Sequence, residues 1–479
     1  SYDLDVFGEN SIYHMINRTV TDEAGAILAG KMSIIPDSEK EILEKQESLL
    51  ELVRKDDFRH RFVAVCKGFD EEKNNYRLIT KHTSNSSRLT SGTGLALIYL
   101  SIAITITSAL LAWMGTVPWS LFITLFMIQL FIPMTFNKVL NKVGSDIGFL
   151  HKNTRIHADL LHIMHPETFE AAENKNLKEQ LFGTYNSREA LKELSVLLKK
   201  FDQRSNAYIL VLLNGLFLRD LFLLRQFYRW KDRYLSHLQS WISALAEMEA
   251  RVSQATYMFN KPEFIQPLVT ERADILIEAS GLGHPFISKE KRVDNDIVIN
   301  KKQFLIITGA NMAGKSTFLR TLGVNYILAV SGMNVCASKF SFTLFSLFSS
   351  MRNTDDLSSG TSYFKAELER MRELIRYCRS HEHTLIILDE LLKGTNSKDK
   401  LDGSVLFLKK MAELPVTGII ATHDLELAKL EDEFPDLFLN WCFEISLSEE
   451  EHYSYKIQRG VSRNLNATYL LQKILLEEL

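Results

Sequence analysis

A chain of 479 residues with a formal net charge of −3 is long enough for two or three domains, and its balance of acids and bases excludes an overall polyanion binder. Its four cysteines, Cys66, Cys336, Cys378 and Cys442, lie far apart with no CxxC pair. That excludes a disulfide-stapled scaffold and predicts reduced thiols in a cytosolic setting. No secretory signal opens the chain, and the start at Ser1 without a methionine predicts that residues precede it.

Residues 1–88 read as mostly helical, the first part of a helical core, with a polar stretch from Thr80 to Gly94. From Leu89 to Asn137 there is no Asp, Glu, Lys, Arg or His. The two apolar runs inside, Leu95–Met114 and Trp119–Phe136, are each about the length a helix needs to cross a bilayer. Gly115-Thr116-Val117-Pro118 supplies the turn, and Trp113 and Trp119 flank it where interfacial aromatics belong. Lys81 and Arg88 precede the pair while Lys138 and Lys142 follow it, so both ends are positive. The prediction is a transmembrane helical hairpin over 89–137, meeting the lipid bilayer through residues 95–136, with both soluble parts cytoplasmic.

Residues 138–265 read as the second part of the helical core. A shorter apolar run, Tyr208–Leu218, is followed by Arg219, Asp220 and Arg225, which predicts a core helix rather than a third crossing. Next, Arg225, Arg229 and Arg233 recur every four residues with Phe227, Tyr228, Trp230 and Tyr234 between them. On a helix this is either a solvated face or an arginine stripe suited to lipid phosphates or a nucleic-acid backbone. Trp241–Phe259 continues as an amphipathic helix, and Pro262 and Pro267 mark a boundary. Residues 266–479 then alternate short apolar strands with helices, the pattern of an α/β nucleotide-binding domain.

The stretch from Leu305 to Thr317 carries the most chemistry. An apolar, β-branched run leads into Gly309, then Ala310-Asn311-Met312-Ala313, then Gly314-Lys315-Ser316-Thr317, then a helix-like segment to Ala329. Strand, glycine loop and helix in that order cradle phosphates with successive backbone N–H groups and a helix N-terminus. Lys315 can reach the β- and γ-phosphates of ATP, and the Ser316 hydroxyl can ligate Mg²⁺. A second strand, Thr384–Leu388, ends in Asp389-Glu390; the first carboxylate suits Mg²⁺ and the second suits polarising an attacking water. A third, Gly418–Ala421, runs into Thr422-His423-Asp424, with the histidine at a strand edge where it could sense the γ-phosphate. His162 and His165 with Asp159 share a helical face at plausible ligand spacing, while His381-Glu382-His383 is only superficially metal-like and is not HExxH; both are weak candidates for a metal site.

These elements resemble the ATPase of the MutS mismatch-repair family. Thr308 to Thr317 reads TGANMAGKST against the family's TGPNMGGKST, and Gly283-His284-Pro285 is similar to its RHP element. Asp355-Asp356-Leu357-Ser358-Ser359-Gly360-Thr361-Ser362-Tyr363-Phe364 is similar to its DDLASGRSTF signature. Gly394-Thr395-Asn396-Ser397-Lys398-Asp399 after the acidic pair is similar to its DEIGRGTSTYDG, and Ala421-Thr422-His423 to its ATH element. Asn17-Arg18-Thr19-Val20-Thr21 resembles a DRTVT-like segment of the family's helical core, and Trp241–Ala255 resembles the end of that core.

The resemblance implies an α plus α/β chain: a core- and lever-like helical region interrupted by the hairpin, then a P-loop ATPase domain of ABC type. It implies a head-to-head dimer through the ATPase domains, in which Asn311, Lys315, Ser316, Asp389, Glu390 and His423 serve one nucleotide. Ser362 would then reach the γ-phosphate held by the other subunit. It also implies engagement of DNA.

The chain departs from the pattern at several points. Ala310 and Ala313 replace a proline and a glycine, and Ala313 is expected to keep a negative φ. Around Arg292-Val293-Asp294-Asn295-Asp296 no aromatic stands where the family stacks one on adenine, so Arg292 is the candidate instead. The mismatch-reading domain and the extra C-terminal dimerisation segment have no counterpart in these residues. Two readings follow: a membrane-anchored, DNA-associated ATP switch, or a membrane-anchored scaffold or remodelling ATPase without DNA. An ABC-type transporter is disfavoured because one hairpin is too little to form a translocation path.

Overall fold

Long runs of Leu, Ile and Phe with no polar alternation suit strands covered on both faces, and they occupy the centre of the α/β half. The computed structural model describes residues 2–67, 92–272, 274–351, 363–447 and 451–462. Its strands are β1 (Leu268–Val269), β2 (Ile275–Leu282), β3 (Asn295–Asn300), β4 (Phe304–Gly309), β5 (Lys339–Phe342), β6 (Ser346–Ser350), β7 (Thr384–Asp389), β8 (Val416–Thr422), β9 (Phe438–Leu447) and β10 (Glu451–Arg459). One sheet runs β10-β9-β4-β8-β7-β6, parallel except for the β10 edge; the other runs β1-β5-β2-β3. Every residue of β4 and of β8 is buried, which explains the apolar stretches Phe304–Ile307 and Gly418–Ala421 within them.

The chain divides into two compact units, one of residues 1–18, 25–54 and 250–479, the other of residues 19–24 and 55–249. The boundaries at 88, 137 and 265 mark changes of composition; packing follows a different division. In the first unit Leu4, Val6, Ile12, Leu28, Met32, Ile42 and Leu49 share one core with Leu319, Leu322 and Ile307. Gly323 exists for that contact, because a Cβ there would stand 2.7 Å from the Leu4 side chain. Gln46 donates to the Pro267 carbonyl at 3.0 Å, and Asp5 pairs with Arg320 at 3.3 Å. N-terminal helices expected in a separate helical core thus complete the hydrophobic core of the α/β half.

The second unit is helical. The Glu249 carboxylate accepts from Val20 N at 2.5 Å and Thr21 Oγ1 at 2.6 Å, which gives the Thr19-Val20-Thr21 segment a structural role. The aromatics Phe227, Tyr228, Trp230 and Tyr234 are core residues, and Trp230 Nε1 donates to the Ala190 carbonyl at 2.8 Å. They are therefore not a surface interleaved with arginines; Arg229 and Arg233 alone face outward, beside Lys192 and Lys200.

The apolar runs form the helices Gly92–Trp113 and Trp119–Thr135, joined through Gly115 at φ +77. Thr93–Trp113 is long and apolar enough to cross a membrane. Trp119–Thr135 has 17 residues, with Pro133 near its end, and bends by 56° into the polar helix that follows. Lys81 and Arg88 lie outside the described residues. The run at 208–218, expected to be a core helix, is not one. Ala207–Phe217 is helical, but only Asn214 and Gly215 are buried.

Candidate functional site

The register of the parallel sheet brings three strand ends to one edge: Thr308 lies opposite Thr422, and Asp389 opposite Ala421. The loop after β4 turns at glycines for a steric reason. Gly309 has φ +148, and a Cβ there would stand 2.8 Å from the Phe443 carbonyl oxygen; Gly314 has φ +107. Ala310 and Ala313 are buried and stay out of the positive-φ region, so the alanine that replaces a family glycine is tolerated as expected. Exposed Met312 takes φ 67.

Lys315 opens the helix Lys315–Val330 and is 5% exposed; its Nζ donates to the Gly309 carbonyl at 2.7 Å and the Ala310 carbonyl at 2.8 Å. Burial pulls its ammonium down to about 8, against the opposing charges of Asp389 and Glu390. A desolvated cation fixed at a helix N-terminus is an anion site with charge to spare.

Glu390 follows β7 with φ 61, and its N–H donates to the Ala421 carbonyl at 2.9 Å, which pins it to β8. One carboxylate oxygen lies 3.2 Å from His423 Nε2 and the other 3.9 Å from Lys400 Nζ. Burial and the Lys315 charge hold the His423 imidazole below its ordinary range, with Glu390 pulling the other way. A ring neutral at pH 7 meets Glu390 as a hydrogen-bond donor, not as an ion-pair partner.

Asn311, Met312, Gly314, Lys315, Ser316, Thr317, Asp389 and His423 line one cleft of about 550 Å³. Ser316 and Asp389 present hard oxygen donors to that same space, the donor set Mg²⁺ takes. His284 also lines it; burial and Arg320 push that ring down to about 4, so it serves as a neutral wall. Arg292 reaches the cleft, but its guanidinium is engaged by Asp294, at 2.5 Å from Nε and 3.3 Å from Nη2.

The aromatic that motif reading did not find is Tyr455, which lines the cleft from β10. It has φ 49 within the register shift between Tyr453 and Ile457. The Asn295 side chain fastens that irregularity: Nδ2 donates to the Tyr455 carbonyl at 3.1 Å, and Oδ1 accepts from Ile457 N at 2.9 Å. No local signal marks either residue, because the pair forms across 160 residues of chain.

Ser362 and the signature Asp355–Ser362 lie outside the described residues. Just beyond, the buried Glu367 carboxylate accepts from Lys393 N at 3.1 Å and Gly394 N at 3.4 Å, so the helix Tyr363–Ser380 is tied to the turn after the acidic pair. Among the described residues no group of three or more His, Cys, Asp or Glu side chains could hold a metal. His165 packs edge-on against Phe182, and His381 stacks on Tyr377.

A parallel sheet with a glycine loop at one strand end and a carboxylate pair at the next but one defines a P-loop nucleotide hydrolase. Residues 305–471 match the family model MutS domain V, so the C-terminal half carries a MutS-family ATPase domain. The chain is 33% identical over 210 residues to the DNA mismatch repair protein MutS of a Thermotoga species, covering 43% of this chain and 25% of that protein. It is 31% identical over 212 residues to the Clostridium perfringens protein of the same name, covering 42% and 23%. To the human MutS protein homolog 4 it is 29% identical over 226 residues, covering 46% and 22%. The matched stretch thus spans about a quarter of the length of these relatives.

Proposed function

We propose that the protein is a Mg²⁺-dependent ATPase that works as a dimeric ATP switch, anchored in a membrane by residues 95–136. The observation that carries the reading is the meeting of Lys315, Asp389, Glu390 and His423 at one sheet edge, fed by the ends of β4, β7 and β8. In this reading the loop N–H groups from Asn311 to Thr317 and the Lys315 ammonium hold the phosphates. Ser316 and Asp389 would hold Mg²⁺, which would supply neutralising charge to the phosphates. Glu390 orients and polarises the water, and His423 reports on the γ-phosphate by its hydrogen bond to Glu390. Of the aromatics that line the cleft, Phe318, Phe443 and Tyr455, the exposed Tyr455 is the one assigned to the base. Ser362 completes the site of a second subunit, which makes hydrolysis depend on dimer closure.

Glu390→Gln should leave ATP binding intact and lower turnover by roughly 10²- to 10⁴-fold, the range for loss of a general base. Full turnover in that variant would remove Glu390 from the mechanism.

The partner moved by the switch is proposed to be DNA, on the strength of the named relatives over the C-terminal half. The second reading, a membrane-anchored scaffold or remodelling ATPase without DNA, is favoured by the apolar helices in the other unit. Binding of labelled duplex by the purified protein in detergent separates them. Affinity that needs ATP and falls steeply with salt supports DNA; no binding at low salt supports the scaffold.

A further inference from the structure

We propose that the apolar helix Ala207–Phe217 is a re-entrant membrane segment: it dips into the acyl region beside the hairpin and returns to the face it entered from. This rests on the membrane reading of the hairpin. At 11 residues the helix is about 16 Å long, half the thickness of a bilayer core.

Its surface is wrong for water. From Ala207 to Leu213 no residue is buried; Tyr208 is 88% exposed and Leu212 56%, on a sequence with no charge. The hairpin helices likewise expose apolar side chains, among them Leu110, Ile123, Met127 and Phe131. An isolated helix this short is marginal in water, and its exposed face offers no gain there.

Its depth follows from its contacts with the hairpin and across its own flanks. Gly215 lies against the Phe126 ring so closely that a Cβ would stand 2.2 Å from it. Phe126 is nine residues, about 14 Å, along its helix from Thr135, well inside the apolar stretch. Yet both flanks of Ala207–Phe217 return to the polar end of the hairpin. Arg204 pairs with Asp220 at 3.0 Å across the helix, and the same guanidinium reaches Asn137 at 3.4 Å and Asn141 at 3.5 Å, where the uncharged stretch ends. Entry and exit are thus joined by one ion pair.

Its ends are finished as hydrocarbon requires. Free helix-terminal groups that water would satisfy must there find side chains. At the start Asn206 Oδ1 accepts from Tyr208 N at 3.1 Å and Ile209 N at 3.3 Å. At the far end Gln129, buried in the hairpin, donates from Nε2 to the Leu216 carbonyl at 3.3 Å while accepting from the Thr105 hydroxyl. Leu218 closes the helix in the left-handed conformation, and Asn214 Oδ1 accepts from Asp220 N at 2.9 Å.

The test uses full-length protein in phospholipid vesicles, with an environment-sensitive fluorophore on single introduced cysteines; the four native cysteines are buried. Leu212→Cys reports the segment, Leu110→Cys the hairpin and exposed Gln180→Cys the aqueous reference. The expected result is loss of emission at 212 and 110 with nitroxide-bearing lipid and none with iodide, with the reverse at 180. Iodide quenching at 212 with lipid quenching at 110 would overturn the re-entrant segment and leave the hairpin standing. Iodide quenching at both would overturn the membrane reading itself. Protection of 212 from both quenchers would assign the face to protein, such as a second copy, and overturn the lipid occupant. Ser205→Cys and Gln226→Cys should react with an impermeant maleimide from the same side; opposite sides would make the segment a full crossing and overturn re-entry.

Discussion

In the nucleotide cleft, charged groups are drawn out of water and held by short polar contacts. Lys315 is clasped by two carbonyls, Glu390 is pinned to β8, and His423 is kept neutral beside it. In the apolar helices of the other unit the imbalance is reversed: side chains such as Leu100, Leu212 and Phe131 lie outside, and the few polar groups, Thr105 and Gln129, are turned inward on one another. Each arrangement is costly alone. A buried ammonium demands an anion, and an exposed apolar helix demands a medium that is not water. The first cost fits the polyphosphate of the proposed nucleotide; the second is the feature on which the proposed membrane anchor rests.

Breaking the cleft side should have the larger effect. Lys315→Met should weaken ATP binding by about 10- to 100-fold, the worth of one charge-assisted hydrogen bond, as read by calorimetric titration. It should leave the nucleotide-free melting temperature nearly unchanged, since it also removes a desolvated charge. A large loss of nucleotide-free stability would mean that the lysine is a structural brace.

On the apolar side, Gly215→Ala should destabilise the helical cluster by about 1–3 kcal/mol in detergent unfolding, because the new methyl meets the Phe126 ring. Basal ATP binding should be untouched. Gln129→Leu should cost less, about 1 kcal/mol, since interhelical hydrogen bonds in lipid are modest.

The last effect lies in pH. A lysine whose folded-state value falls from 10.5 to about 8 binds fewer protons when folded than when unfolded across that interval. Stability of the nucleotide-free protein should therefore rise with pH from about 8 towards 10, relative to Lys315→Met. Bound ATP should flatten the rise by restoring the charged form; an identical slope in the two proteins would show that Lys315 is not desolvated.

The strand–loop–helix and the carboxylate pair were legible because each is a local pattern with a local physical cause. An unbroken apolar run is a strand covered on both faces, and glycines at 309 and 314 mark backbone that other residues resist. Tyr455 was not legible: its place depends on a register shift in an antiparallel edge pair and on Asn295 from a different sheet. The packing partners of the N-terminal helices were not legible either, since a helical pattern does not say what a buried face packs against. Tyr208–Leu218 misled because apolarity alone does not separate a protein core from a lipid-facing surface.

Glu367 gives the cleft a mechanical property. Its carboxylate bridges the helix that begins at Tyr363 to the backbone of Lys393 and Gly394, a few residues beyond the acidic pair. Two hydrogen bonds to a buried charge, roughly 1.5–3 kcal/mol each, act as a strut between these pieces. Any load that shifts the start of that helix must either carry the turn after Glu390 with it or snap the strut. Force arriving there is thus converted into a displacement beside Glu390, the carboxylate proposed to orient the water, and Glu367→Gln would turn a rigid linkage into a slipping one.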